Sequence, residues 1–167
     1  RATTAALSDL AGMAAQPLGV AVAITLPDAW RGEFLRICDG IGDAVRAAGT
    51  QIIGGDLSRG AELALAVTVL GHAATPLSRR GARVGDALWV TGRLGGPLVA
   101  LRVWQHGGVP SPECRARFAR PVARVPEARW LQSQGATAGI DLSDGLVSDA
   151  THLAAAGGVR IVIDLDR

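Results

Sequence analysis

The sequence predicts an α+β fold with a mixed or antiparallel sheet, divided into two units near Pro76. Three observations carry that expectation. Apolar runs between Leu18 and Gly71 follow the order strand, helix, strand, strand, which suits a mixed sheet better than a doubly wound one. The segment Thr75-Pro76-Leu77-Ser78-Arg79-Arg80-Gly81-Ala82 is the strongest boundary signal in the chain, dividing it into residues 1–76 and 77–167. The 167 residues are 49% apolar, enough for a proper core. A compact chain of this size buries roughly 70% of its unfolded surface.

Taken in order, residues 2–15 place Thr3, Leu7, Leu10, Met13 and Ala14 on one helical stripe, with Asp9 turned well away from it. Leu18 to Leu26 reads as a buried Ala/Val-rich strand, ended by Pro27-Asp28. A long amphipathic helix follows, with Trp30, Phe34, Ile37, Cys38, Ile41, Val45 and Ala48 on one side and Gly49 as its C-cap. Gln51 to Ile53 is a short strand running into Gly54-Gly55-Asp56, after which Leu57-Ser58-Arg59-Gly60 turns the chain. Leu63 to Gly71 alternates and returns as a strand.

Beyond the boundary, Ala87 to Thr91 is expected as a strand leading through Gly92, Gly95 and Gly96 into a helix from Pro97 to about Gln105. Those glycines lack the Lys and the spacing of a P-loop. A short helix at Pro112–Phe118, a helix at Glu127–Gln134 and a β-like run at Ala136–Ile140 follow. Leu146, Val147, Ala150, Leu153 and Ala154 then form one helical face that stops at Gly157-Gly158, and Val159 to Leu165 alternates as a last strand. His152 lies near the apolar stripe of that helix and reads as packing or surface.

Composition narrows the function classes. The formal net charge is only +2, and the basic residues other than His are all Arg, with no Lys. The loosest cluster, Arg115, Arg117, Arg120, Arg124 and Arg129, reads as a solvated face, and neither a basic stripe nor aromatic stacking positions indicate a nucleic-acid partner. No apolar run is long enough for a bilayer, so a soluble chain without a membrane partner is expected. Cys38 and Cys114 match no metal or disulfide spacing, which together with the lack of a leader points to a reducing cytoplasm. The chain opens without Met inside a helical pattern and closes just after a strand, so truncation at both ends is also expected.

The chemistry gathers around Gly139-Ile140-Asp141-Leu142-Ser143-Asp144-Gly145-Leu146. Two carboxylates three positions apart stand where a β-like run meets a helix start. Oxygen ligands beside backbone N–H groups are what a Mg²⁺-polyphosphate requires, and an ordinary N-cap is the alternative. Asp9 and Asp56 lie in comparable settings, the latter after two glycines that let backbone approach a ligand. Four carboxylates gathered in one cleft repel one another, and Mg²⁺ arriving with a nucleotide offsets them. The absence of Cys and His from the set disfavours zinc. Phosphoryl transfer suits such a site because its catalysis is mostly positioning and charge neutralisation.

Five segments, taken in order and spacing, are more specific than any alone. Ala6-Leu7-Ser8-Asp9-Leu10-Ala11-Gly12-Met13, Ile53-Gly54-Gly55-Asp56-Leu57-Ser58-Arg59-Gly60, Ser78-Arg79-Arg80-Gly81-Ala82 with Gly85-Asp86, Val90-Thr91-Gly92, and Ile140 to Leu146 resemble the thiamine-monophosphate kinase family. That family is a branch of the aminoimidazole-ribonucleotide-synthetase-like superfamily. The resemblance implies a two-domain, PurM-like α+β architecture with mixed sheets, a site between the domains and a homodimer formed through the N-terminal domain. It implies ATP as co-substrate, several Mg²⁺ ions and direct in-line transfer of a phosphoryl group to thiamine monophosphate. Asp9, Asp56 and Asp141 correspond to ligands of a magnesium cluster and Asp144 to a ligand of a further metal. Gly55, Asp56, Arg79 and Ser143 correspond to nucleotide contacts, and no side chain acts as a covalent catalyst.

The sequence departs from the family at Ala6 for Asn, Ala14 for Gly, Leu57 for Thr, and Pro121-Val122-Ala123-Arg124 for a Pro-x-Pro-Arg run. The family's opening Gly-Asp-Asp strand, further metal ligands and later substrate-binding residues lie outside this sequence. Other readings are an ATP-using relative of the selenophosphate-synthetase or hydrogenase-maturation type, or a non-catalytic nucleotide-binding relative.

Overall fold

In a computed structural model, residues 1–164 are described. A three-stranded mixed sheet, ordered β2-β1-β3, organises the first half. The central strand β1 (Gln16–Leu26) runs parallel to β2 (Ile52–Arg59) and antiparallel to β3 (Ala64–His72). Alternation in β1 decides its faces: Val20, Val22, Ile24 and Leu26 are buried, whereas Ala23 is exposed. The buried set meets Leu7 and Leu10 of α1 (Ala2–Gly12) and Ile41 and Val45 of α2 (Phe34–Ala47), forming one apolar core. The opposite face presents small side chains, among them Ala23 beside Asp56 and Ala66 in the strand register.

Local differences from the sequence expectations have physical reasons. The first helix stops at Gly12 rather than residue 15, because Ala14 takes a left-handed conformation at φ 55°, turning α1 into β1; Met13 is left 41% exposed. The second helix opens as a 3-10 segment, Asp28–Glu33, that leaves Trp30 exposed. The larger difference is β2, which continues through the expected turn to Arg59. A side chain at Gly55 would overlap the Val22 carbonyl, so this glycine serves close parallel pairing rather than a reversal. Asp56 therefore stands within a strand, opposite Ala23.

The second half is helical with long connections. It contains α3 (Gly96–Gln105), α4 (Pro112–Ala119), α5 (Val125–Ser133) and α6 (Leu146–Gly157). Helices α3 and α4 pack through an edge-to-face pair, Trp104 and Phe118, with ring centroids 5.1 Å apart. Arg1 lies over the same Phe118 ring at 4.0 Å. The strand expected at Ala87–Thr91 is irregular, and so are residues 159–164; Leu165 lies outside the described residues. The run at Ala136–Ile140 makes a single parallel bridge, Ser78 with Ala138. Those three segments have strand composition, but ladder partners are lacking among the described residues. No helix among the described residues is long and apolar enough to cross a membrane.

Candidate functional site

The site is assembled where three backbone segments meet. Leu77 donates its N–H to the Met13 carbonyl at 3.0 Å, tying the boundary segment to the end of α1. A Cβ on Gly12 would lie 2.8 Å from the Asp141 amide nitrogen, one on Gly139 would overlap the Gly12 carbonyl, and one on Gly81 would overlap the Thr137 carbonyl. Glycine is thus required for α1, the Arg79–Gly81 turn and the strand-like run to come this close. Ser78 caps that turn, its hydroxyl accepting from the Arg80 N–H at 3.2 Å.

This junction sets the electrostatics of Asp141. Partial burial raises its carboxyl above the ordinary range, and repulsion from Asp9 on α1 and from Asp149 on α6 adds to the shift. Backbone hydrogen bonding and Arg79 oppose it without cancelling it. Asp9, Asp141 and Arg79, which come from three separate segments, therefore share one neighbourhood. The uncompensated negative charge there, with hard oxygen donors, fits a divalent cation of the Mg²⁺ type.

Beside it, ligand atoms of Asp144, Asp149 and His152 all lie within 4.8 Å of one another. Asp144 and His152 are exposed, whereas Asp149 is 2% exposed. Asp149 Oδ2 accepts the backbone N–H groups of Ser143 at 3.1 Å, Asp144 at 3.2 Å and Gly145 at 3.0 Å. The donors expected to face a phosphate are thus occupied by the chain's own carboxylate. Sequence reading overlooked Asp149 because it sits among the apolar positions of α6; an acid in the first turn of a helix was the available signal. The helix is rotated accordingly, with Asp149, Ala150 and Leu153 inward and Val147 74% exposed.

Asp56 comes from the sheet, opposite Ala23 of β1. It is exposed on β2. With Gly55 and Leu57 it lines an open, mainly apolar cleft that α2 completes through Phe34, Cys38 and Ile41. Arg59, at the end of β2, is paired with Asp28. Asp9 and Arg79 thus act on Asp141 across three segments, Ser143 and Asp144 follow on the adjoining loop, and β2 carries Gly55 and Asp56.

This arrangement has counterparts among known proteins. Residues 1–73 match the family described as AIR synthase related protein, N-terminal domain, and the fold is of the PurM-like class. Across its length it is similar to the thiamine-monophosphate kinase of Pyrococcus horikoshii, with 34% identity over 100% of this chain and 54% of that protein. The crystal structure of thiamine-monophosphate kinase from Stenotrophomonas maltophilia K279a superimposes with a TM-score of 0.85 at 36% identity, covering 91% of this chain and 51% of that one. AaThiL complexed with AMPPCP and TMP superimposes with a TM-score of 0.83 at 29% identity, covering 91% and 50%. By sequence and fold together the chain is similar to thiamine-monophosphate kinases. It spans about half the length of the curated relatives it matches.

Proposed function

We propose that this chain is part of a kinase that transfers the terminal phosphoryl group of ATP directly, in line, to thiamine monophosphate, giving thiamine diphosphate. The observation that carries this reading is the convergence of Asp9 and Asp141 from distant parts of the sequence. Burial and mutual repulsion hold the Asp141 carboxyl high, a condition that a bound cation relieves. Whole-length similarity to thiamine-monophosphate kinases, and a related fold that accommodates AMPPCP and TMP, support the choice of substrates.

Asp9, Asp56, Asp141 and Asp144 would hold Mg²⁺, which when bound neutralises phosphate charge and orients the polyphosphate. Arg79, already within electrostatic reach of Asp141, adds a fixed positive charge on the same side. Gly55 allows close backbone approach, and the Ser143 side chain is left to contact nucleotide while its N–H is held by Asp149. The boundary near residue 76 separates the domain bearing Asp9 and Asp56 from the one bearing Asp141 and Asp144. The small-residue sheet face, uncovered among the described residues, supports a homodimer formed through the first domain. A cytoplasmic setting agrees with the two free cysteines.

The test is a product assay on the full-length protein with ATP, thiamine monophosphate and Mg²⁺. Thiamine diphosphate is expected, with formation abolished by a chelator and restored by added Mg²⁺. Turnover of selenide but not thiamine monophosphate would overturn the assignment.

A further inference from the structure

We propose that Asp149 is the positioning residue of the site: its buried carboxylate fixes the Ser143-Asp144-Gly145 backbone, and through it the placement of Asp141 and Asp144. Three N–H groups converge on one oxygen of a side chain that is 2% exposed. Burying a carboxylate is costly unless charge-assisted hydrogen bonds replace its water, and these three donors do so. A residue chosen only to fill space between α6 and the Arg79–Gly81 turn would be apolar, as Ala150 and Leu153 are. The acid also keeps the helix start from collecting an outside anion, because the donors that would bind it are taken. The loop is consequently held with Asp144 exposed, its carboxylate beside that of Asp149 and the His152 ring.

The inference rests on the kinase reading for its purpose, but its first test does not. In the metal-free, full-length protein, amide hydrogen exchange at residues 143–145 should be slower than in an unstructured chain by about a hundredfold. Asp149→Asn, which keeps one acceptor, should raise exchange at those amides by about tenfold while leaving Val22 and Ile24 unchanged. Manganese binding in the presence of ADP, read by electron paramagnetic resonance, should weaken about 10- to 100-fold. Leu153→Ala, a destabilising change on the same helix, separates positioning from general loosening and should spare both readouts at a temperature where it remains folded.

Random-coil exchange at 143–145 in the unsubstituted protein would overturn the proposal even if no Asp149 variant folds. So would unchanged exchange in Asp149→Asn, or an equal loss of metal binding in Leu153→Ala. Failure of the kinase reading is recognised separately, as slow loop exchange in a protein that makes no thiamine diphosphate.

Discussion

The two halves of the chain are stabilised by different means. The first, up to His72, has a continuous core in which Leu7 and Val20 are fully buried between a helical layer and one face of a sheet. The second has a few buried apolar side chains, Ala100, Val125, Ala150 and Leu153, while Trp89 is 76% and Val109 86% exposed. Its organisation around the site comes instead from backbone approaches at Gly12, Gly81 and Gly139 and from the hydrogen bonds to Asp149. Apolar burial builds the platform, and polar backbone contacts place the acids upon it.

The two halves should respond differently when each is weakened where it is strongest. Leu7→Ala removes a side chain with no exposed surface and should cost about 3 kcal/mol by chemical denaturation, with the sheet and both flanking helices lost together. A cost below about 1 kcal/mol would mean that the first half does not depend on that core.

Gly81→Ala asks the same of the second half. The new methyl would overlap the Thr137 carbonyl, so the turn must move, at about 1–3 kcal/mol. Its expected signature is local: exchange of the Gly139 N–H, which donates to Ser78 at 3.4 Å, should accelerate while the β1 amides remain protected. Uniform loss across β1 would show that the halves unfold as one.

The smallest expected effect concerns Asp141. Its raised carboxyl means that the folded protein holds a proton more tightly than the unfolded chain. In the absence of metal, this group therefore destabilises the fold above its folded pKa, and the penalty vanishes as pH falls below the ordinary carboxylate value. Asp141→Asn should raise metal-free stability at neutral pH by less than about 1 kcal/mol and flatten that part of the stability–pH profile, as measured by thermal melts. A lower melting point at neutral pH would instead assign Asp141 a stabilising role.

How much of this was legible in the sequence follows from the kind of force involved. Apolar periodicity located α1, α2, β1, β3 and α6 because burial against a neighbour imposes a repeat. β2 was cut short because Gly54-Gly55 has the composition of a turn, whereas strand pairing uses Gly55 for backbone proximity. Ala87–Thr91 has strand-like residues, but a strand exists through its partner, which local sequence does not specify. The spaced motifs singled out Asp9, Asp141 and Arg79, and folding brings them together. They could not reveal Asp149, whose importance comes from three donors that converge only once the loop is formed.

The left-handed corner at Ala14 has a consequence for the balance sheet of the whole fold. A residue bearing a Cβ in that conformation carries roughly 1–2 kcal/mol of steric cost. Against a typical net stability of about 5–15 kcal/mol, that is an appreciable share for one methyl group. The helix carrying Asp9 thus ends at a bend under tension, and the close seating of Gly12 against the Asp141 backbone restrains the same few residues from relaxing it.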